Sequence, residues 1–373
     1  MIYYNSNLNS LPDALQLRTL LTSIQNRMPV QHLMPTERVM DDESKYILTH
    51  LSNGCFSLKP NITHQGVLYY GNSNFENVKG GLFSQYFMKD KTNKSRHEDF
   101  VKYNVLLEQF KLLIKTFPLY DLLSQGIDVD NSNVKFVMKN SYGLASAYSF
   151  VSPYINLTSS LDLAMFYATH KYTKEGYIPA DTDTLGIIYV YNLNEPFGLM
   201  RGLSTLGLQV FMKTFNTKQF LYRLKSGEDF NTKPNVIGFT FRQTNAVADY
   251  YAQVISEKEI LPTNDFLETK LKTIQYKVFS KAIEENLRKN RIDSEAVNRS
   301  ILQKAGFEIE EGTPSFTVED LIGVDLEEIW TTIMGQTLGI SPDDQKTLSF
   351  LRRVPSLEKY KKYFNIVKYY EER

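Results

Sequence analysis

Three consecutive hydroxyl residues, Thr158-Ser159-Ser160, form the segment of this chain best suited to carry chemistry. They follow a strand-like stretch over residues 154–157 and precede an apolar helical pattern that begins at Leu161. Hydroxyl groups beside the exposed backbone N–H groups of a helix start can hold a phosphate or a ribose. Thr158 or Ser159 could equally cap the helix and bind no ligand. The triplet alone leaves both interpretations open.

The elements around the triplet alternate between strands and helices. Apolar, β-branched and aromatic runs predict strands over residues 67–70, 154–157, 185–191, 220–224 and 236–241, and helical spacing predicts helices over residues 15–24, 98–123, 161–168 and 268–290. These patterns predict an α+β protein with a helical N-terminal segment (1–63), an α/β core (64–267) and a mostly helical C-terminal region (268–373). The core must position the triplet, because the triplet joins one of its strands to one of its helices.

The composition narrows the class of protein only slightly. Lys plus Arg and Asp plus Glu both number 42, so a net charge of zero gives no indication of a nucleic-acid or anionic membrane partner. The single cysteine, Cys55, excludes an intramolecular disulfide, and the five histidines lack the spacing of metal ligands, so we expect no metal site. No apolar run approaches the ~20 residues that span a bilayer, and the N-terminal residues lack a signal-peptide pattern. We therefore expect a cytoplasmic protein without membrane association.

Several short motifs occur in an order that resembles the FRG domain family, which is named for an aromatic-Arg-Gly motif on an early strand. Tyr69-Tyr70-Gly71-Asn72 stands where that motif is expected. Residues 141–146, 155–160 and 163–168 are similar to the family's His-Tyr-Gly-Leu-Pro-Thr, Leu-Asp-Trp-Thr and Ala-Leu-Tyr-Phe-Ala blocks. Residues 259–265 look like its closing Leu-Phe-Pro-Asp element. The resemblance covers about residues 64–275 and makes the chain similar to a divergent member of the family.

This resemblance implies an ADP-ribosyltransferase-like fold with a mixed β core and NAD as substrate. Such enzymes place an Arg or His on a first strand, a Ser-Thr-Ser-like triplet on a second strand, and a Glu late in the fold. By this correspondence the catalytic residues would be Tyr70, Ser159 and Glu259. The cofactor-binding residues would be Tyr69, Gly71, Asn72, Tyr142, Thr158, Ser160 and Gln219.

Two residues compete for the late position of the implied site. Glu259 belongs to Glu257-Lys258-Glu259, whose spacing would put both carboxylates on one face of a strand. Gln219 follows the triplet at a more usual distance, but its amide cannot serve as a carboxylate. The sequence leaves open which of the two occupies the position.

Three departures from the family pattern keep the function open as well. Tyr70 replaces the Arg and lacks its charge and bidentate geometry, Ser141 replaces a His, and Asn156-Leu157 replaces Asp-Trp. One hypothesis is an NAD-consuming ADP-ribosyltransferase, such as a bacterial toxin or phage-defence effector that modifies a protein or nucleic acid. A second is a catalytically degenerate module that binds a nucleotide or nucleic acid. A third is a regulatory partner, such as an antitoxin or immunity protein, that contacts another protein through the helical C-terminal region.

Overall fold

The computed structural model of this chain describes residues 2–3, 14–27, 37–39, 46–50, 55–60, 66–84, 94–120, 127–129, 132–136, 141–173, 176–182, 184–193, 202–206, 210–211, 213–214, 217, 219–257, 261, 265–273, 278–289, 303, 308–309, 313–317, 319–321, 324 and 329. The helices are α1 (Ala14–Arg27), α2 (Glu76–Lys79), α3 (Lys94–Lys115), α4 (Ser141–Ala147), α5 (Leu161–Thr169), α6 (Asn245–Glu257), α7 (Phe266–Thr273) and α8 (Lys281–Lys289). The strands are β1 (Ile2–Tyr3), β2 (Glu37–Val39), β3 (Tyr46–His50), β4 (Cys55–Pro60), β5 (Val67–Asn72), β6 (Ile127–Val129), β7 (Ser132–Phe136), β8 (Tyr154–Thr158), β9 (His170–Thr173), β10 (Gly176–Pro179), β11 (Leu185–Asn192), β12 (Leu203–Thr205), β13 (Gln219–Arg223), β14 (Val236–Arg242), β15 (Val278–Phe279) and β16 (Glu308–Ile309). Phe230–Thr232 and Glu319–Leu321 form short 3-10 helices.

The largest sheet in the described part of the chain has seven strands in the order β1-β14-β11-β5-β8-β13-β12. Every neighbouring pair is antiparallel except β1 and β14, which run parallel. A second sheet has the order β2-β3-β4-β7-β6. This combination of helices with largely antiparallel sheets confirms the predicted α+β class.

Strand β11 is an interior strand of the large sheet, and its sequence is apolar on both faces. Its Ile187, Ile188, Tyr189, Val190 and Tyr191 are all buried. Runs of β-branched and aromatic residues of this kind favour a strand that is covered on both sides. The strand pairs along its length with β14 on one side and with β5 on the other. The sequence predicts a strand over residues 185–191, and the structure confirms it.

The two faces of the large sheet are packed differently. Tyr69 and Ile188 project from one face into a core with Leu17 of α1, Leu163 of α5 and Tyr251 of α6. We call this the helix face. The opposite face, which we call the aromatic face, carries a core that includes Leu68, Leu157, Tyr189, Tyr191, Phe220, Tyr222 and Phe230. Neighbouring residues of one strand therefore enter different cores, as strand geometry requires.

The predicted helical N-terminal segment is correct only for α1. The leucine spacing that predicted this helix ends with it, and β2, β3 and β4 follow within residues 37–60. Stretches such as Tyr46-Ile47-Leu48-Thr49 are rich in residues that favour strands, and they belong to the second sheet. Helix α1 packs its buried residues Ala14, Leu17 and Leu21 onto the helix face of the large sheet.

The predicted single helix over residues 268–290 is also wrong, because α7 and α8 are separated by β15. Helix α7 begins at Phe266, so the predicted boundary between residues 267 and 268 falls inside a helix. The Phe266 ring stacks on Phe117, with 4.9 Å between the ring centroids, so α7 packs against the core. Residues 330–373 of the predicted helical C-terminal region lie outside the described residues. Among the helices that the structure describes, none has the length and apolar character needed to cross a membrane.

Candidate functional site

The structure brings three segments of the predicted site together at one junction of the large sheet. Strand β8 lies between β5 and β13. Thr158 is opposite Tyr69 of β5 on one side and opposite Gln219 of β13 on the other. Directly opposite residues of antiparallel strands project from the same face. Tyr69, Thr158 and Gln219 thus form a row on the helix face, which we call the cross-strand row.

The row also contains the pairing that the structure describes between β5 and β8. Strand β8 pairs with β13 along its whole length, but its described pairing with β5 is limited to Thr158 and Tyr69. The chain leaves the sheet directly after Thr158 and enters α5.

The hydroxyl triplet ends a strand and caps a helix, as the sequence predicted, but the capping residue is not the expected Thr158 or Ser159. The cap is Ser160, whose Oγ accepts a hydrogen bond from the Leu163 N–H at 3.2 Å. Thr158 Oγ1 accepts from the Ser160 N–H at 3.0 Å and donates to the Thr217 carbonyl at 3.0 Å. Thr158 is 3% exposed and Ser159 is 2% exposed. Of the three hydroxyl residues, Thr158 is the one that belongs to the cross-strand row.

The two tyrosines of the early motif project from opposite faces of the sheet. Tyr69 lies in the row, and its hydroxyl donates to Gln25 Oε1 of α1 at 3.1 Å. Tyr70 packs on the aromatic face, where its ring centroid lies 6.0 Å from that of Tyr189 and its hydroxyl accepts from Asn72 Nδ2 at 3.3 Å. Burial raises the pKa of both the Tyr69 and the Tyr70 phenol. The structure does not bring the predicted site residues Tyr70 and Asn72 to the row.

Gly71 provides the space for α5 to pack on β5. A Cβ atom at this position would lie 1.9 Å from the carbonyl oxygen of Ala164 and 2.9 Å from the backbone nitrogen of Ala168. Only a residue without a side chain permits this approach. Gly71 therefore fixes the position of the helix whose first turn follows the hydroxyl triplet.

Gln219 occupies the late position of the row. Its side chain is almost fully buried, at 6% exposure, and its Oε1 atom has no hydrogen-bond partner among the described residues. A buried acceptor without a donor costs about 1–3 kcal/mol. A ligand that offers an N–H or O–H group at this point would remove that cost.

The strand that was predicted around Glu257 is wrong. Glu257 is the last residue of α6, is exposed to solvent, and accepts a hydrogen bond from Gln253 Nε2 at 2.7 Å. Buried Val247, Tyr251 and Ile255 recur every four residues, and this helical spacing carries the chain as a helix up to Glu257. Glu259 lies outside the described residues, so Gln219 is the late candidate that the structure places in the row.

Tyr142 serves a contact between two helices. Its hydroxyl donates to Glu108 Oε1 of α3 at 2.5 Å, and the Glu108 carboxylate also lies 3.4 Å from Lys111 Nζ. The Glu108 side chain is fully buried. Helix α4 reaches the strands through a different residue, since Ser146 Oγ donates to Asn156 Oδ1 of β8 at 2.7 Å. The phenol of Tyr142 is thus engaged with α3 and is not part of the row.

Asp265 is a buried carboxylate for which the sequence predicts no chemical role. Its Oδ1 accepts the Glu268 N–H of α7 at 2.9 Å, and its Oδ2 accepts the Tyr148 hydroxyl at 2.9 Å and the Lys213 N–H at 3.2 Å. Burial raises the pKa of Asp265, and these hydrogen bonds oppose that rise. An Asp directly before Phe266 with a Glu three residues later is a helix-start signal, and it could have identified this residue from the sequence.

Comparison of the chain with protein-family models, curated proteins and solved structures finds no match.

Proposed function

We propose that this chain carries an ADP-ribosyltransferase-like, FRG-type domain that binds and consumes NAD at the cross-strand row. The observation that supports this proposal is the meeting of Tyr69, Thr158 and Gln219 on three adjacent strands. The resemblance implied an early-strand motif, a hydroxyl triplet and a late polar residue, which are far apart in the sequence. One residue of each of these segments therefore lies in the row, although neither Tyr70 nor Ser159 of the implied catalytic set does.

In this proposal each member of the row has a separate task. Gln219 Oε1 accepts a hydrogen bond from a ribose hydroxyl or from the nicotinamide carboxamide and so orients the ligand. Thr158 offers its hydroxyl at the end of β8, and the Tyr69 ring contributes an apolar surface beside it. Because Thr158 and Gln219 are almost fully buried, NAD binding requires side chains that cover the row to move.

The uncharged amide of Gln219 limits the rate that this row can achieve. A carboxylate would stabilise the positive charge that develops on the ribose in the transition state, whereas an amide offers only a dipole. We therefore expect slow NAD consumption. The same amide, together with the position of Tyr70 on the aromatic face, favours a second candidate function, a module that binds NAD without turnover.

One experiment separates these functions. Purified protein is titrated with NAD by calorimetry and incubated with labelled NAD, with and without cell lysate, while nicotinamide release and label transfer are followed. Gln219→Ala tests the row, and Gln253→Ala, on the exposed side of α6, is the matched control. Release that Gln219→Ala abolishes and Gln253→Ala preserves supports the enzyme.

Two other results lead to different conclusions. Binding that requires Gln219 but gives no nicotinamide release supports the binding module. The assignment of the row as an NAD site is refuted if the protein shows no NAD binding and no nicotinamide release. It is also refuted if Gln219→Ala and Gln253→Ala behave alike.

A further inference from the structure

Asp265 holds three parts of the chain together inside the core. It is 5% exposed, and its carboxylate accepts hydrogen bonds from the α7 backbone at Glu268, from the Tyr148 hydroxyl and from the Lys213 backbone N–H. Lys213 is itself almost fully buried, and its Nζ lies 3.4 Å from Glu268 Oε2. One carboxylate therefore fixes the start of α7, the residue that follows α4, and the backbone at Lys213.

The backbone at Lys213 connects Asp265 to the cross-strand row. The Lys213 carbonyl accepts from the Thr217 N–H at 3.3 Å, and the Thr217 carbonyl accepts from Thr158 Oγ1 at 3.0 Å. Thr158 Oγ1 in turn accepts from the Ser160 N–H at 3.0 Å. A continuous series of hydrogen bonds thus runs from the Asp265 carboxylate to the hydroxyl that stands between Tyr69 and Gln219.

Capping of α7 explains only part of this arrangement. The cap uses Oδ1, whereas Oδ2 accepts the two donors that come from outside α7, Tyr148 and Lys213. A hydrogen bond to a charged group contributes more than one between neutral groups, and it orients the backbone that donates it. The Oδ2 atom therefore contacts the backbone from which the hydrogen bonds to Thr217 and Thr158 continue.

We propose that Asp265 is a positioning residue for the cross-strand row and that it acts on ligand binding through the Thr158 hydroxyl. This inference rests on the proposed function, because it takes the row as the ligand site. It also gives a role to the last residue of the segment 259–265, which resembles the closing element of the FRG family.

A double-mutant cycle tests this proposal. Asp265→Asn places an amide where Oδ2 or Oδ1 accepted hydrogen bonds, and Thr158→Val removes the hydroxyl with little change of shape. We expect Asp265→Asn to weaken NAD binding by about tenfold in the wild-type background and by less than about twofold in the Thr158→Val background. Equal effects in the two backgrounds overturn the proposal, because a purely structural defect would weaken binding whether or not the hydroxyl is present.

Hydrogen exchange provides a readout that does not need NAD. We expect Asp265→Asn to speed exchange of the Ser160 and Thr217 amides by about tenfold, since both amides belong to the hydrogen-bond series. Asp229→Asn is the matched control, because Asp229 also accepts backbone N–H groups, from Leu82 and Asn231. Exchange that changes equally in both variants, or in neither, overturns the positioning role. Faster exchange in Asp265→Asn alone supports the positioning role of Asp265, even if the protein does not bind NAD. The absence of NAD binding would then count against the proposed function only.

Discussion

Gly71→Ala adds only one carbon atom, yet the structure predicts that it lowers the free energy of unfolding substantially. The added carbon would lie 1.9 Å from the Ala164 carbonyl oxygen, whereas carbon contacts are optimal at about 3.5 Å or more. Helix α5 must therefore move by roughly 1.5 Å away from β5. Its residues Leu163, Ala164 and Ala168 are 0% exposed, so this movement disturbs packing on the helix face. We expect a loss of about 3 kcal/mol in the free energy of unfolding, at the upper end of the usual cost of overpacking.

The measurement is equilibrium unfolding in urea, followed by circular dichroism, with Gly80→Ala as the control. Gly80 has φ −78°, and a Cβ added there would meet no atom within 4 Å, so alanine should leave the unfolding midpoint unchanged or raise it slightly. Because α5 begins beside the hydroxyl triplet, Gly71→Ala should also weaken NAD binding. If the free energy of unfolding of Gly71→Ala lies within about 0.5 kcal/mol of the wild-type value, the close packing of α5 on β5 is refuted.

Two further substitutions test the row and the core beside it. Gln219→Met keeps the side-chain volume and removes a buried acceptor without a donor, so we expect a gain of about 1 kcal/mol in stability together with loss of NAD binding. A loss of thermal stability in this variant would show that the Gln219 amide is satisfied within the folded chain. His170 stacks on Phe166 with 4.2 Å between the ring centroids, and burial lowers its pKa. Because the unfolded chain then binds the proton more readily, the contribution of His170 to stability should be lost as the pH falls below about 6.5. Thermal unfolding between pH 7.5 and pH 5.5 should show a smaller pH dependence in His170→Phe, and an unchanged dependence would contradict this origin.

The sequence predicted those elements whose pattern is complete within a short window. β11 has an unbroken apolar run, and α5 follows a hydroxyl cap, so both were identified with their approximate bounds. The strands within residues 37–60 are short, and they pair with each other and with β7, so their stability depends on partners that a local pattern does not contain. The same limitation explains why α7 and α8 were merged, since both carry helix-forming charged residues on either side of the short β15.

For the site, the sequence supplied the residues but not the faces on which they lie. Tyr69 and Tyr70 are neighbours in a strand, so alternation alone requires that one of them point away from any site on a single face. Which one does so depends on the register of β5 against β8, and this register is a contact between distant parts of the chain. The choice between Gln219 and Glu259 depends in the same way on which strand pairs with β8.

The chemistry of Gln219 argues that the row is more than a polar part of the core. Ile188 and Phe241 project from the same face of the sheet and pack with apolar neighbours, and a Leu at position 219 would do so without leaving an acceptor unsatisfied. Tyr251 also has a buried hydroxyl without a partner among the described residues, but its large ring stabilises the core by itself. Gln219 contributes less apolar surface, so the cost of its unpaired Oε1 atom is offset less within the described fold. Costs of this kind persist where a ligand supplies the missing partner, and this is why substitution of Gln219 should separate stability from binding.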